Sequence, residues 1–108
     1  MEPRVELTYL LDFYGALLTE GRREALRLYC EEDLSLAEIA EQAGVSRQAV
    51  LDSVKRSREK LEEYEEKLGA VKRDRAITSE AERCLEALDR GDAIAARRSL
   101  ENILRIER

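Results

Sequence analysis

Ser35-Leu36-Ala37-Glu38-Ile39-Ala40-Glu41-Gln42-Ala43-Gly44-Val45-Ser46-Arg47-Gln48-Ala49-Val50 holds two helix starts and one helix stop. Ser35 and Glu38 stand at capping-box spacing, where the hydroxyl and the carboxylate each satisfy an amide that the first turn leaves without a partner. Gly44 supplies the left-handed residue that ends a helix. Ser46 is a second N-cap immediately behind it. Two helices joined by Gly44-Val45-Ser46, the first short and the second basic at its start, form the helix-turn-helix pattern, which we place over residues 35–60. Ile39, Ala40, Val45 and Val50 are expected to bury the elbow, with Ala40 small enough for a steep crossing.

Outward from this motif the chain reads as helix throughout. Leu7, Leu10, Leu11, Tyr14, Leu17 and Leu18 mark one stripe of a first helix. Thr19 caps a second, with Ala25, Leu26, Leu28, Tyr29 and Cys30 apolar and Glu31-Glu32-Asp33 at its end. From Arg47 nothing stops the helix before Gly69. Val50, Val54, Leu61, Tyr64, Leu68 and Val71, with Ser57 in the gap, keep heptad spacing and predict a lengthwise helical partner. Lys72-Arg73-Asp74-Arg75 reads as a basic link, and Thr78-Ser79 as the cap of a fifth helix bearing Ala81, Cys84, Leu85 and Leu88. Gly91 closes that helix, and Asp92 caps a sixth with Ala96, Leu100, Ile103 and Leu104 on one face. The expected fold is therefore an all-α helix-turn-helix bundle with a long fourth helix and a C-terminal helical pair. Its expected division is a motif domain over 1–75 and a hairpin over 76–108, packing on the same domain or on a dimer partner.

Composition limits the function. The 108 residues carry 19 basic and 24 acidic side chains, a formal charge of −5, and no His. A wholesale polyanion binder is disfavoured, because any nucleic-acid face would be local on an acidic body. Without His the commonest general base and metal ligand are both missing. Cys30 and Cys84 lie far apart without companion ligands, and read as small core residues in a reducing compartment. Ser46, Ser53 and Ser57 have no base nearby, and no phosphate-cradling glycine loop exists. No enzyme, no cofactor and no metal site is expected. Nor is membrane insertion, since no apolar run is long enough; the expected location is the cytoplasm.

The charge is unevenly placed. Residues 46–60 hold Arg47, Lys55, Arg56, Arg58 and Lys60 against Asp52 and Glu59, a net +3, while residues 1–45 sum to −6 and 61–108 to −2. Positive charge thus sits where a backbone-contacting helix needs it. With Val50, Val54 and Leu61 inward, Gln48 would reach an adenine edge and Leu51 a thymine methyl, with Arg47, Lys55, Arg56 and Arg58 on phosphates. Asp52 and Glu59 oppose this, and Asp52–Arg56 and Lys55–Glu59 have the spacing of ordinary surface pairs. The acidic run Glu62, Glu63, Glu65 and Glu66 reads as a solvated face, and the aromatic residues as core or interface.

The segment from Leu11 to Gly69 closely resembles the YlxM family, small bacterial proteins whose helix-turn-helix is similar to region 4 of sigma factors. Phe13-Tyr14-Gly15-Ala16-Leu17-Leu18-Thr19, Asp33-Leu34-Ser35-Leu36-Ala37-Glu38-Ile39-Ala40 and Val45-Ser46-Arg47-Gln48-Ala49-Val50 carry the resemblance, and Leu61-Glu62-Glu63-Tyr64-Glu65-Glu66-Lys67-Leu68-Gly69 supports it. It implies a homodimeric helical regulator tied to the signal recognition particle pathway. It places nucleic-acid contact on Ser46, Arg47, Gln48, Leu51, Lys55 and Arg56. Leu51 and Cys30 depart from it, since Tyr is expected at both. Three functions follow as expectations: a regulator binding the particle's RNA or DNA, an interaction module binding the particle's GTPase without nucleic acid, and a sequence-specific transcription regulator.

Overall fold

The computed structural model describes residues 3–107. Helices fill it, and among the described residues there is no strand. They are α1 (Pro3–Tyr14), α2 (Glu20–Cys30), α3 (Leu36–Ala43), α4 (Arg47–Leu68), α5 (Ala70–Asp89) and α6 (Ala93–Glu107), with one 3-10 turn at Gly15–Leu17. The expected all-α class is what the chain adopts.

Two compact units divide at Leu68/Gly69. The first contains α1 to α4. Its core is made by Leu7, Leu10, Leu11, Leu26, Ile39 and Leu61 with their neighbours, drawn from all four helices. The long α4 lays Val50, Val54, Ser57 and Leu61 against the other three, so the lengthwise partner that its heptad spacing predicted lies within the same unit. Polar side chains fix the edges of this packing. The Tyr14 hydroxyl donates to Glu65 on α4 at 2.5 Å, and the Tyr14 and Tyr64 rings meet at 6.0 Å. At the other end of α1, Arg4 donates to Asp33 at 2.5 Å and lies over the Tyr29 ring at 4.6 Å. Asp33 adopts φ 54, a left-handed conformation that Asp tolerates better than most residues and that turns the chain into α3.

Three boundaries differ from the sequence reading. The stripe of the first helix stops at Tyr14, because the backbone tightens into the 3-10 turn and leaves Leu17 exposed. The α4 seam stops at Leu68, where Gly69 adopts φ 62 and breaks the hydrogen-bond ladder. Val71 is accordingly a buried residue of α5 rather than the end of the seam. The basic run Lys72-Arg73-Asp74-Arg75 is helical, not a link, and Thr78-Ser79 lies inside α5 rather than capping it. No residue from 70 to 79 is a Gly or a Pro, so once Gly69 has reset the backbone nothing delays the next helix. The compact units therefore meet before the expected boundary between 75 and 76.

The second unit is the hairpin of α5 and α6. Gly91 turns it at φ 75, and the Asp92 carboxylate accepts from the Ala95 amide at 3.0 Å, as expected of a cap. Its packing differs from the expected leucine stripes. The buried contact runs through Cys84, Ala87, Ala96 and Ser99, which are small enough to bring the two backbones close. Leu85, Leu88, Leu100 and Leu104 all remain more than half exposed.

Candidate nucleic-acid interface

The capping box forms as the sequence indicates: the Glu38 amide donates to the Ser35 hydroxyl at 3.1 Å and the Ser35 amide donates to the Glu38 carboxylate at 3.2 Å. Gly44 closes α3 at φ 70. The Val45 amide reaches back to the Ala40 carbonyl at 3.1 Å and the Gly44 amide to that of Glu41 at 3.4 Å, the bond pattern of a Schellman ending. Ser46 then starts α4 by accepting from the Ala49 amide at 3.0 Å. Ile39, Ala40 and Val50 bury the elbow. Val45, expected with them, is half exposed, because the Schellman turn carries its side chain outside the angle between the helices.

The first half of α4 presents the candidate side chains. Ser46, Arg47, Gln48, Lys55 and Arg56 are exposed, and Leu51 is half-buried beside them. Gln48 donates its side-chain amide to the Asp52 carboxylate at 3.0 Å, which occupies one of the acidic groups that oppose an anionic ligand. Neither the Asp52–Arg56 nor the Lys55–Glu59 pair forms. Among the described residues, Arg47, Lys55 and Arg56 make no ion pair with any carboxylate. Some cations elsewhere are engaged: Arg27 holds both Glu24 and Glu32, Lys67 holds Glu63, and Arg97 holds Glu101. The Arg27 guanidinium holds the Glu24 carboxyl below the usual carboxylate range.

Arg58 does not join this group. It is half-buried and lines a cleft with Glu6, Leu7, Leu10 and Glu62, on the flank of α4 that faces α1. Its charge is felt instead by Cys30, whose thiol is pushed up by burial against the smaller opposing influence of Thr8, Arg4 and Arg58. Of the motif's exposed cations, Lys60 lies over the Tyr64 ring at 5.5 Å, which leaves Arg47, Lys55 and Arg56 as its open basic surface. Sequence reading missed the Arg4–Asp33 and Tyr14–Glu65 contacts that hold the motif from behind, since nothing in their spacing pairs them.

A capped eight-residue helix, a left-handed glycine turn and a second helix with open cations along its first half are the parts of a helix-turn-helix. Residues 1–93 match the family model described as "Putative helix-turn-helix protein, YlxM / p13 like". The chain belongs to this family. Among its relatives, a UPF0122 protein of Symbiobacterium thermophilum is 50% identical over 94 residues, covering 87% of this chain and 88% of that protein. A UPF0122 protein of Bacillus cereus is 54% identical over 68 residues, 63% of this chain and 62% of its own length, and one of Bacillus anthracis matches to the same extent. Membership of the YlxM/p13-like family supports a nucleic-acid-binding role for the motif. Among the described residues no helix is long and apolar enough to cross a membrane.

Proposed function

We propose that this YlxM/p13-like protein is a non-catalytic regulator acting in the cytoplasm. In this reading it binds nucleic acid through the first half of α4 and serves the signal recognition particle pathway as a homodimer. One observation carries the nucleic-acid part. Arg47, Lys55 and Arg56 are exposed in the first half of α4 and pair with no carboxylate among the described residues, on a chain of net charge −5. Phosphates are their natural counter-charge, with Ser46, Gln48 and Leu51 placed between them for closer contact. The pathway and the homodimer are drawn from the family resemblance.

Fluorescence anisotropy against the particle's RNA and against duplex DNA, at low and moderate salt, tests the reading. Binding that is lost when Arg47, Lys55 and Arg56 are reversed to Glu supports it; no binding to either nucleic acid refutes it. The Gln48–Asp52 bond and Glu59 favour a second reading, in which the same face meets a basic protein such as the particle's GTPase. A pull-down of that GTPase that survives nuclease treatment would favour this alternative.

A further inference from the structure

The first half of α4 turns one side fully away from the core. Val50, Val54, Ser57 and Leu61 are buried, and at 3.6 residues per turn the exposed Gln48 and Lys55 stand on the opposite side. Arg47 lies roughly 100° round the helix from Gln48 in one direction and Arg56 about 80° in the other. The outward face thus has an amide at its centre and a cation on each edge. A helix in the major groove of B-form duplex DNA meets that layout, with base edges ahead of it and a phosphate strand on either side. The major groove of an A-form RNA helix is too deep and narrow to be read by side chains. One group does not fit a plain phosphate-binding face. Asp52 is exposed about 40° from Gln48, a carboxylate where the ligand is anionic.

We propose that Asp52 is a positioning residue: by holding Gln48 it fits the motif to duplex DNA with an A·T pair at the position Gln48 faces. The inference rests on the nucleic-acid reading above and names its substrate class. The Gln48 side-chain amide donates to the Asp52 carboxylate at 3.0 Å. One of the amide's two N–H groups is thereby occupied, which leaves the other N–H and the carbonyl oxygen for a ligand. Adenine offers an acceptor at N7 beside a donor at N6, the complement of that pair, whereas guanine offers two acceptors, N7 and O6. A free glutamine accommodates guanine by turning its amide over. Here the turned amide would set its carbonyl oxygen against the Asp52 carboxylate, so guanine meets an acceptor facing an acceptor.

Leu51, half-buried one turn along from Gln48, supplies an apolar contact for a thymine methyl beside the adenine. The face's other carboxylate, Glu59, lies about 16 Å along the axis from Gln48, beyond the cations that meet phosphate. Positioning and simple charge then have opposite signatures at Asp52. As a bare charge it repels every phosphate, and its removal tightens binding to all sequences alike. As the holder of Gln48, its removal also frees the amide and costs base discrimination. An Asp52→Asn chain separates the two, because it keeps an acceptor for the Gln48 amide without the charge.

The test is selection of duplexes from a randomised pool by the full chain, then anisotropy on an enriched duplex and on its copy with G·C at the selected A·T pair. The wild type is expected to prefer A·T about tenfold. Gln48→Ala and Asp52→Ala should each bring that ratio to within about twofold, and the double variant no lower. Asp52→Ala should nevertheless bind unrelated duplex several-fold more tightly, and Asp52→Asn should do the same with the preference kept. An Asp52→Ala chain that retains the tenfold preference overturns the inference, as does selection of no A·T position by the wild type, or binding confined to RNA. Duplex binding that is lost on reversing Arg47, Lys55 and Arg56 to Glu, yet carries no sequence preference, overturns it and leaves the nucleic-acid reading standing. Absence of binding to any nucleic acid removes both.

Discussion

Salt dependence gives the nucleic-acid reading its sharpest test. The structure leaves three open cations, Arg47, Lys55 and Arg56, and withdraws Arg58 into the cleft beside α1. Each phosphate neutralised on a duplex contributes about −0.9 to the slope of log affinity against log salt, so three contacts give a slope near −2.7. Between 50 and 200 mM salt that is a loss of about fortyfold in affinity. Four contacts, as the sequence alone suggested, would give about −3.6. Anisotropy titrations on labelled duplex DNA at four or five salt concentrations resolve the difference. Replacing Arg47, Lys55 or Arg56 singly by Ala should reduce the slope to about −1.8, while Arg58→Ala leaves it unchanged. A flat dependence, or an Arg58→Ala effect equal to that of Arg56→Ala, refutes the reasoning.

Three further outcomes follow from the packing. Ser57 is fully buried and its hydroxyl has no hydrogen-bond partner among the described residues, so Ser57→Ala should raise stability by about 1 kcal/mol, or roughly 4–8 °C by thermal circular dichroism. Ser35→Ala removes half of the capping box and should cost about 1 kcal/mol, measured as a lower urea midpoint with an unchanged m-value. Burial raises the Cys30 thiol above its ordinary value, so the stability it contributes is fully present below that ordinary value and lost as pH rises through the folded one. Urea midpoints should therefore fall more steeply at alkaline pH in the wild type than in Cys30→Ala; parallel curves would remove this account.

The motif was legible in the sequence because its signals are local. Ser35, Glu38, Gly44 and Ser46 act within one turn of helix, and each does in three dimensions what its spacing indicates. Thr19 and Asp92 were readable for the same reason. Arg58 was misplaced because its role depends on which flank of α4 meets α1, a tertiary fact carried by Leu7 and Leu10 rather than by α4 itself. The hairpin was misread through size. Apolar periodicity assigns the largest residues to the core, and here Ala87, Ala96 and Ser99 win the contact because they let the helix axes approach. Gly69 was recognised as a stop, but the cationic run after it resembled a loop while its residues suit a helix equally well.

The turn at Gly69 has a wider consequence. Space around it is open, and nothing lies within 4 Å of where a β-carbon would stand, so only the positive φ resists a side chain. Both flanking segments are helical in their own right. A residue averse to the left-handed region would favour fusing them into one uninterrupted rod from Arg47 to Asp89, some 65 Å long. The division between the two units thus falls at a single left-handed residue.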